Sequence, residues 1–257
     1  MALSALHSIA KTILYKAGYS IKRIRARPIG VTPQRSDSRS SPPDLMRLLH
    51  KVNPYEAFDF RSYASDASGW GGDSPAFRAL ILELKPHLIV EVGSWKGNSA
   101  LQMAAVTCEA GLLTHILCVD TWLGALEFWT EQDDPERYSS LGLRHGYPTV
   151  YYQFLANVCH KGFQDRIVPF PQTSSIAALW LRYYGITPEL VYIDASHEEE
   201  DVYSDLCNYW PLVSENGVLF GDDYSWDGVR IAVNRFAREE RRYLEFVADK
   251  WLLRKRH

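Results

Sequence analysis

The sequence lacks several features that would place a chain of this length in a specialised class. Its four cysteines are scattered and form no Cys-x-x-Cys pair. This argues against a zinc site or a disulfide framework and predicts reduced thiols in a cytoplasmic protein. No apolar run is long enough to cross a membrane, and no small-residue cleavage site of a secretory signal follows the N-terminal residues. The composition, 46% hydrophobic and 23% charged, is that of an ordinary soluble globular protein.

Acidic residues are also absent from the first 36 positions. The net charge is −3 and seven basic residues precede the first acid, Asp37, so the rest of the chain carries −10. That part has no basic patch of the kind that nucleic acids select. Apolar residues of the N-terminal segment repeat on one helical face. A basic amphipathic helix of this kind could contact a membrane at its periphery through residues 1–27, or dock on the core or on a partner subunit of a homo-oligomer.

A Ser/Pro-rich linker at residues 36–43 separates this segment from the rest. We therefore predict an N-terminal helix and linker at 1–45 and one α/β domain at 46–257, in which alternating helices and strands indicate a parallel sheet. Residues 122–148 have no regular pattern, and 244–253 is typical of a closing hairpin or late strand. Strands are predicted at 88–92, 115–119, 166–170, 190–193 and 217–220, and helices at 75–84, 99–110, 151–160, 175–184, 199–210 and 229–239.

The most informative segment connects the first predicted strand to a helix. It reads Glu91-Val-Gly-Ser-Trp-Lys-Gly97-Asn-Ser. Gly93 permits a sharp turn, and Gly97 lets the backbone approach a ligand beside the free N–H groups of the next helix. The spacing is neither the Gly-x-Gly-x-x-Gly of a dinucleotide enzyme nor a Walker loop. A Glu ahead of a single-glycine turn suits a cationic amino-acid ligand better than a pyrophosphate.

Acidic residues end three further predicted strands: Asp120, Asp194 and the pair Asp222-Asp223. Ligand-binding groups of open α/β sheets collect at this edge. Asp120 is placed to accept hydrogen bonds from both hydroxyls of a ribose, or is a turn former before Thr121. Thr173 and Ser174, after the third strand, could bond a purine edge or cap the next helix.

Asp194, Asp222 and Asp223 come from two adjacent strand ends. Like charges so close repel each other unless a cation joins them. Oxygen ligands without cysteine favour Mg²⁺, or Mn²⁺ or Ca²⁺, over zinc. His197, three residues after Asp194, is near enough to remove a proton from a metal-bound hydroxyl. The alternative is a structural histidine beside a helix start.

The ordered motifs around Glu91, Asp120, Asp194 and Asp222 resemble those of class I S-adenosylmethionine-dependent methyltransferases, in particular the metal-dependent sugar and small-molecule O-methyltransferases. The resemblance implies a Rossmann-like, mostly parallel seven-stranded sheet with helices on both faces. It implies that His197 is the catalytic base. In another subgroup of these enzymes the base lies two residues after the first Asp of the motif, which here is Asp194. That position is Ser196 in this sequence, and a serine is a poor base. It implies a divalent metal, with Mg²⁺ first, at Asp194, Asp222 and Asp223. The positions expected to bind S-adenosylmethionine are Glu91, Gly93, Ser94, Gly97, Ser99, Asp120, Thr121, Trp122, Thr173, Ser174 and Asp194.

The predicted activity is methyl transfer from S-adenosylmethionine to a hydroxyl of a sugar or glycan-related small molecule. Two alternatives stay open at this stage: methylation of a catechol or another natural-product phenol, and cofactor binding without methyl transfer. Aromatic residues in segments able to form a lid could stack on a sugar or simply pack in the protein: Trp70, Trp122, Trp129 and Tyr147.

Overall fold

The computed structural model describes residues 44–69, 73–130 and 135–255. The predicted N-terminal helix, the linker at residues 36–43 and Trp70 lie outside these residues, and the predicted division of the chain near residue 45 stays a prediction. Within the described residues, seven strands form one sheet. They are β1 (Leu88–Val92), β2 (His115–Asp120), β3 (Ile167–Pro171), β4 (Leu190–Ile193), β5 (Val218–Gly221), β6 (Glu245–Val247) and β7 (Lys250–Arg254).

The strand order is β3-β2-β1-β4-β5-β7-β6. The pairs among β1 to β5 are parallel, while β7 runs antiparallel to both β5 and β6. The mostly parallel seven-stranded sheet predicted from the sequence is thereby confirmed. The closing segment forms the hairpin β6–β7, one of its two predicted alternatives.

Helices connect the strands at the positions that the sequence pattern predicts, to within two residues at most ends. The region 122–148, predicted to be irregular, contains two helices of five and six residues. Segments so short complete too few turns to display a helical period. The helices are α1 (Leu45–Leu49), α2 (Pro75–Leu84), α3 (Asn98–Glu109), α4 (Leu126–Thr130), α5 (Pro135–Ser140), α6 (Val150–Lys161), α7 (Ser174–Tyr184), α8 (Glu199–Tyr209) and α9 (Asp227–Glu239).

Both faces of the central strands are covered. All five residues of β1 are buried, as expected for a parallel strand between two helical layers. Val90 belongs to one apolar cluster and its neighbour Ile89 to the other, because successive side chains of a strand point to opposite faces. None of the helices in the described residues has the length and apolar character needed to span a bilayer.

The strand order reverses at β1, which pairs with β2 on one side and β4 on the other. Ligands of open α/β sheets bind beyond the carboxyl ends of the strands at this reversal. There the backbone after β1 passes so close to that after β4 that a Cβ on Gly93 would lie 2.0 Å from the carbonyl oxygen of Asp194. Only glycine fits this contact, which fixes the position of the first loop.

Candidate functional site

A cavity of about 660 Å³ opens at this reversal point. Its volume lies within the range of small-molecule and cofactor sites. It is lined by residues that follow β1, β2, β3, β4 and β5, and by helix α4. The sequence-predicted site residues on its wall are Gly93, Ser94, Ser99, Asp120, Thr121, Thr173, Ser174, Asp194, His197 and Asp223.

The loop after β1 turns with left-handed backbone at both glycines, φ +88° at Gly93 and +91° at Gly97. Gly97 is the N-cap of α3, and the ring of Phe154 lies 3.0 Å from where its Cβ would be. Gly97 therefore shapes the loop from behind. It is not among the residues that line the cavity in the described structure.

Glu91 is fully buried beneath the loop. Its carboxylate accepts hydrogen bonds from the hydroxyls of Ser94 and Ser99, at 2.6 and 2.5 Å, and from the Cys118 thiol at 3.3 Å. Burial raises the pKa of Glu91 to about 7, against the lowering effect of these hydrogen bonds. Where a direct contact with the cofactor was expected, the structure gives Glu91 a place behind two serines that line the cavity.

Asp120, at the end of β2, binds the same loop from the other side. Its Oδ2 accepts the backbone N–H groups of Ser94 and Trp95, at 2.9 and 2.8 Å, and its Oδ1 accepts that of Trp122 at 2.6 Å. Burial raises the pKa of Asp120 although these bonds favour its charged form. A carboxylate has about four acceptor sites. Two are used by the loop after β1 and a third by Trp122, so Asp120 both shapes the loop and retains capacity toward the cavity.

Of the remaining residues predicted to bind the cofactor, some line the cavity and others support the loop after β1 from the core. Thr121 lines the cavity, whereas Trp122 is buried, donates its indole N–H to the Trp95 carbonyl at 2.7 Å, and packs on Phe154. Trp122 therefore supports the loop from the core. Thr173 caps α7 by accepting the Ile176 N–H, which is one of its two predicted alternatives, and it also lines the cavity; its bond to a purine stays a prediction.

Ser174 donates its hydroxyl to Asp205 of α8 at 2.5 Å, and both residues line the cavity. Burial raises the pKa of Asp205 to about 6. Sequence reasoning missed Asp205. The only signal was an acid on the otherwise apolar face of a predicted amphipathic helix, where Val202, Leu206 and Tyr209 are buried.

The structure brings Asp194, Asp222 and Asp223 together. One carboxylate oxygen of each lies within 4.8 Å of the others, close enough to share a metal ion. Burial, and then the charges of Asp222 and Asp223, raise the pKa of Asp194 to about 8. Such a group of acids is unfavourable without a cation, and its all-oxygen donor set is the kind that Mg²⁺ and Mn²⁺ prefer. The residues present therefore fit a divalent ion.

Each of the three carboxylates also has a donor within the protein. Asp194 accepts the Tyr192 hydroxyl at 2.9 Å, and Asp223 lies 2.9 Å from Nε2 of His197. Asp222 accepts the Lys250 ammonium at 2.5 Å. Asp222 is not among the cavity-lining residues. It follows β5, which pairs with β7, and lies behind the cavity wall beside the other two acids.

His197 lies on the cavity wall between two carboxylates. Its Nε2 contacts Asp223, and its Nδ1 lies 3.2 Å from Oε1 of Glu127, in helix α4, but without hydrogen-bond geometry. The ring stacks on Trp226 with centroids 4.3 Å apart. The hydrogen bond to Asp223 raises the pKa of His197, and the Glu127 charge acts in the same direction.

Sequence reasoning also missed Glu127, Trp226 and Lys250. Glu127 lies in the region predicted to be irregular, so nothing placed it opposite His197. Lys250 had a signal: a lysine in a predicted strand of apolar residues must be paired if it is buried. Of the aromatic lid candidates, Trp129 and Tyr147 are partly exposed and are not among the cavity-lining residues.

Comparisons with known proteins agree with this geometry. Residues 90–224, more than half of the chain, match the sequence profile of a family described as a methyltransferase domain. Solved structures with a similar fold include the O-methyltransferase NovP, 17% identical with a TM-score of 0.50 over 71% of this chain and 78% of that one. They also include the calicheamicin methyltransferase CalS11, 20% identical with a TM-score of 0.51 over 70% and 76%.

No curated protein matches the sequence. The family profile spans the glycine loop, Asp120, Asp194 and His197 and ends just after Asp223, which are the segments that surround the cavity. The chain therefore belongs to the methyltransferase domain family, among the class I S-adenosylmethionine-dependent methyltransferases.

Proposed function

We propose that this protein transfers the methyl group of S-adenosylmethionine to a hydroxyl group of a sugar or related small molecule, with the help of a divalent metal ion. One observation carries the proposal. A single cavity is lined at one end by Gly93 and Asp120 and at the other by Asp194, His197 and Asp223. Cofactor, acceptor, base and metal would thus share one space, as direct displacement at the methyl carbon requires.

The cofactor end of the cavity is the loop after β1. Ser94 and Ser99 are held by Glu91, and the backbone of Ser94 and Trp95 is held by Asp120. Ribose hydroxyls would use the remaining acceptor capacity of Asp120, and Thr173 and Ser174, on the cavity wall, would lie beside the purine. The loop is already ordered by side chains of this chain, so binding would require little rearrangement.

The acceptor end is the group of three acids. A divalent ion held by Asp194, Asp222 and Asp223 would chelate neighbouring hydroxyls of the acceptor and make one easier to deprotonate. Neighbouring hydroxyls occur in sugars and in catechols alike. The wall here is polar, with Ser196, Asp201 and Asp223, and includes the partly exposed Trp226, a combination that favours a sugar over a flat phenol.

His197 would take the proton from the acceptor hydroxyl. In the contact with Asp223, a carboxylate, Nε2 of His197 would be the donor, which would leave the lone pair of a neutral imidazole on Nδ1. Nδ1 is buried beside Glu127 and makes no hydrogen bond within the described residues, so the Glu127 carboxylate would have to turn away for an acceptor hydroxyl to reach it. Glu127 would then stabilise the imidazolium that forms.

The test is incubation of the full chain with methyl-labelled S-adenosylmethionine, Mg²⁺ and a panel of glycosides and catechols. We expect label in glycosides that carry adjacent hydroxyls, and His197→Ala should lower the rate by about 10²–10⁴ while cofactor binding is retained. Glu56→Gln, an exposed change away from the cavity, is the matched control. Label in catechols alone would replace the sugar by a phenol, and cofactor binding without transfer to any hydroxyl would refute the enzymatic proposal.

A further inference from the structure

A lysine lies against the group of acids that we assign to the metal. Lys250, in β7, has a fully buried side chain. Its ammonium lies 2.5 Å from Oδ2 of Asp222 and 2.8 Å from Oδ2 of Asp249. A buried charge is strongly unfavourable without partners, and two carboxylates at these distances supply them. The group of acids therefore has a permanent positive neighbour in the protein itself.

The position of Asp222 does not depend on this lysine. Its Oδ1 accepts the backbone N–H of Asp223 at 2.8 Å, and its carbonyl oxygen accepts the indole N–H of Trp251 at 2.7 Å. The residue follows β5 directly, between strands β4 and β7. Removing the ammonium should therefore change the charge around Asp222 more than its geometry.

The ammonium and a metal ion would share one carboxylate. An ion bound to Asp222 would lie within a few ångströms of Lys250, where two positive charges repel each other appreciably. Conversely, with no ion bound, the ammonium offsets the negative charge of the acids beside it. The Lys250 side chain thus opposes the binding of a metal ion, and it keeps the acids together when no ion is bound.

We propose that Lys250 is a built-in counter-cation of the acidic group, which weakens the affinity of Asp194, Asp222 and Asp223 for a divalent ion. This proposal rests on the metal site of the proposed function. It concerns the binding equilibrium alone, so it can be tested without any methyl acceptor.

Asp249 gives the proposal a second, opposite test. Its side chain is 52% exposed and holds the far side of the ammonium, and it also accepts the hydroxyl of Ser74, the N-cap of α2. Neutralising Asp249 removes a negative charge near the site and also leaves the ammonium with less charge drawing it away from Asp222. Neutralising Asp249 should then weaken the metal site, whereas neutralising Lys250 should strengthen it.

The experiment measures Mn²⁺ binding by calorimetry to the full chain and to Lys250→Gln, Lys250→Arg and Asp249→Asn. We expect binding about tenfold tighter in Lys250→Gln, a few-fold weaker in Asp249→Asn, and within about threefold of the original in Lys250→Arg, since only the first removes the repelling charge. Asp223→Ala, made in the original chain and in Lys250→Gln, should abolish binding in both and so identify the ion as the one at this site.

Thermal unfolding provides a second readout. Without metal, Lys250→Gln should melt at a lower temperature than the original chain. Added Mn²⁺ should raise its melting temperature by a larger increment, because the ion replaces the lost charge.

Equal or weaker Mn²⁺ binding by Lys250→Gln overturns the proposal. Binding by Lys250→Gln alone supports it in its strongest form. If neither the original chain nor Lys250→Gln binds Mn²⁺, both this proposal and the proposed metal site are overturned. Methyl transfer itself is still decided by the labelling experiment with glycosides and catechols. If Lys250→Gln does not fold, Lys250→Met decides in the same calorimetry, and Mn²⁺ binding there that is equal to or weaker than in the original chain overturns the proposal.

Discussion

The carboxylate of Glu127 lies 3.2 Å from Nδ1 of His197, on the opposite ring edge from the hydrogen bond between Nε2 and Asp223. Glu127 comes from the helix after β2 and His197 from the loop after β4, so the contact spans the cavity. With Trp226 stacked on its face, the imidazole is fixed in orientation by two segments, helix α4 with Glu127 and the loop after β5 with Asp223 and Trp226. If, as we propose, His197 takes the proton of the acceptor hydroxyl, these contacts hold its ring in place.

Glu127→Gln should slow methyl transfer by about 10-fold to 100-fold, the usual effect of removing a group that orients a functional histidine. Affinity for S-adenosylmethionine should be unchanged, because the cofactor loop is not touched. Steady-state kinetics in saturating cofactor measures the effect. In the double variant with His197→Ala, the loss should be no greater than with His197→Ala alone; additive losses would show that Glu127 acts elsewhere.

Chelation of divalent ions should abolish turnover and leave cofactor binding intact, and added Mg²⁺ should restore the rate. Asp223→Ala should reproduce the chelated state, since loss of one hard ligand leaves the ion undercoordinated. Asp227→Ala, four residues away and on the exposed start of α9, is the control. Full activity in chelator would end the metal hypothesis.

Asp120→Ala should weaken binding of S-adenosylmethionine and of its demethylated product by about 1.5–3 kcal/mol, the range for a lost hydrogen bond to a charged group. The loop at Ser94 and Trp95 loses two backbone hydrogen bonds in the same change. Calorimetry measures both affinities, with exposed Asp165→Ala as the comparison. Unchanged affinity would remove Asp120 from the cofactor site.

Stability should depend on pH through Glu91. Its pKa is raised from 4.5 to about 7 by burial, so the folded chain holds this proton more tightly than the unfolded chain. Below about pH 4.5 the carboxyl is protonated in both states. Between about 4.5 and 7 the unfolded chain ionises first, so the free energy of unfolding falls with rising pH, by about 3 kcal/mol in total.

Glu91→Gln should remove this slope, because an amide does not ionise. Urea unfolding at pH 5 and pH 8 should then show that the original chain loses stability relative to Glu91→Gln as the pH rises. Glu56→Gln, an exposed position, should run parallel to the original chain. Parallel curves for Glu91→Gln as well would mean that the buried carboxyl keeps an ordinary pKa.

Deletion of residues 1–27 should leave cofactor binding intact, because in the sequence this segment precedes a Ser/Pro linker and contributes no predicted strand. If the basic helix contacts membranes, its deletion should also lower cosedimentation with anionic vesicles. Neutral vesicles are the control for nonspecific adsorption. An insoluble or unfolded truncated chain would indicate instead that the helix packs on the domain.

The sequence by itself determined the strands, most helices and the sheet edge at which the site forms. Strand residues such as Ile89 and Val90 are apolar in runs bounded by turn signals, and glycines at 93 and 97 are needed for backbone with positive φ. These are local properties of the chain. They placed Asp120, Asp194 and Asp223 at one edge because parallel strands end on the same side.

Only the tertiary structure decided which residues face the cavity and which support it. Glu91 and Trp122 share motifs with cavity residues, yet the packing of α3 and α6 places them behind the wall. Glu127 meets His197, and Lys250 meets Asp222, across segments far apart in sequence. Periodicity reports which face of one element is buried, whereas contacts of this kind depend on how separate elements pack against each other, which no local pattern encodes.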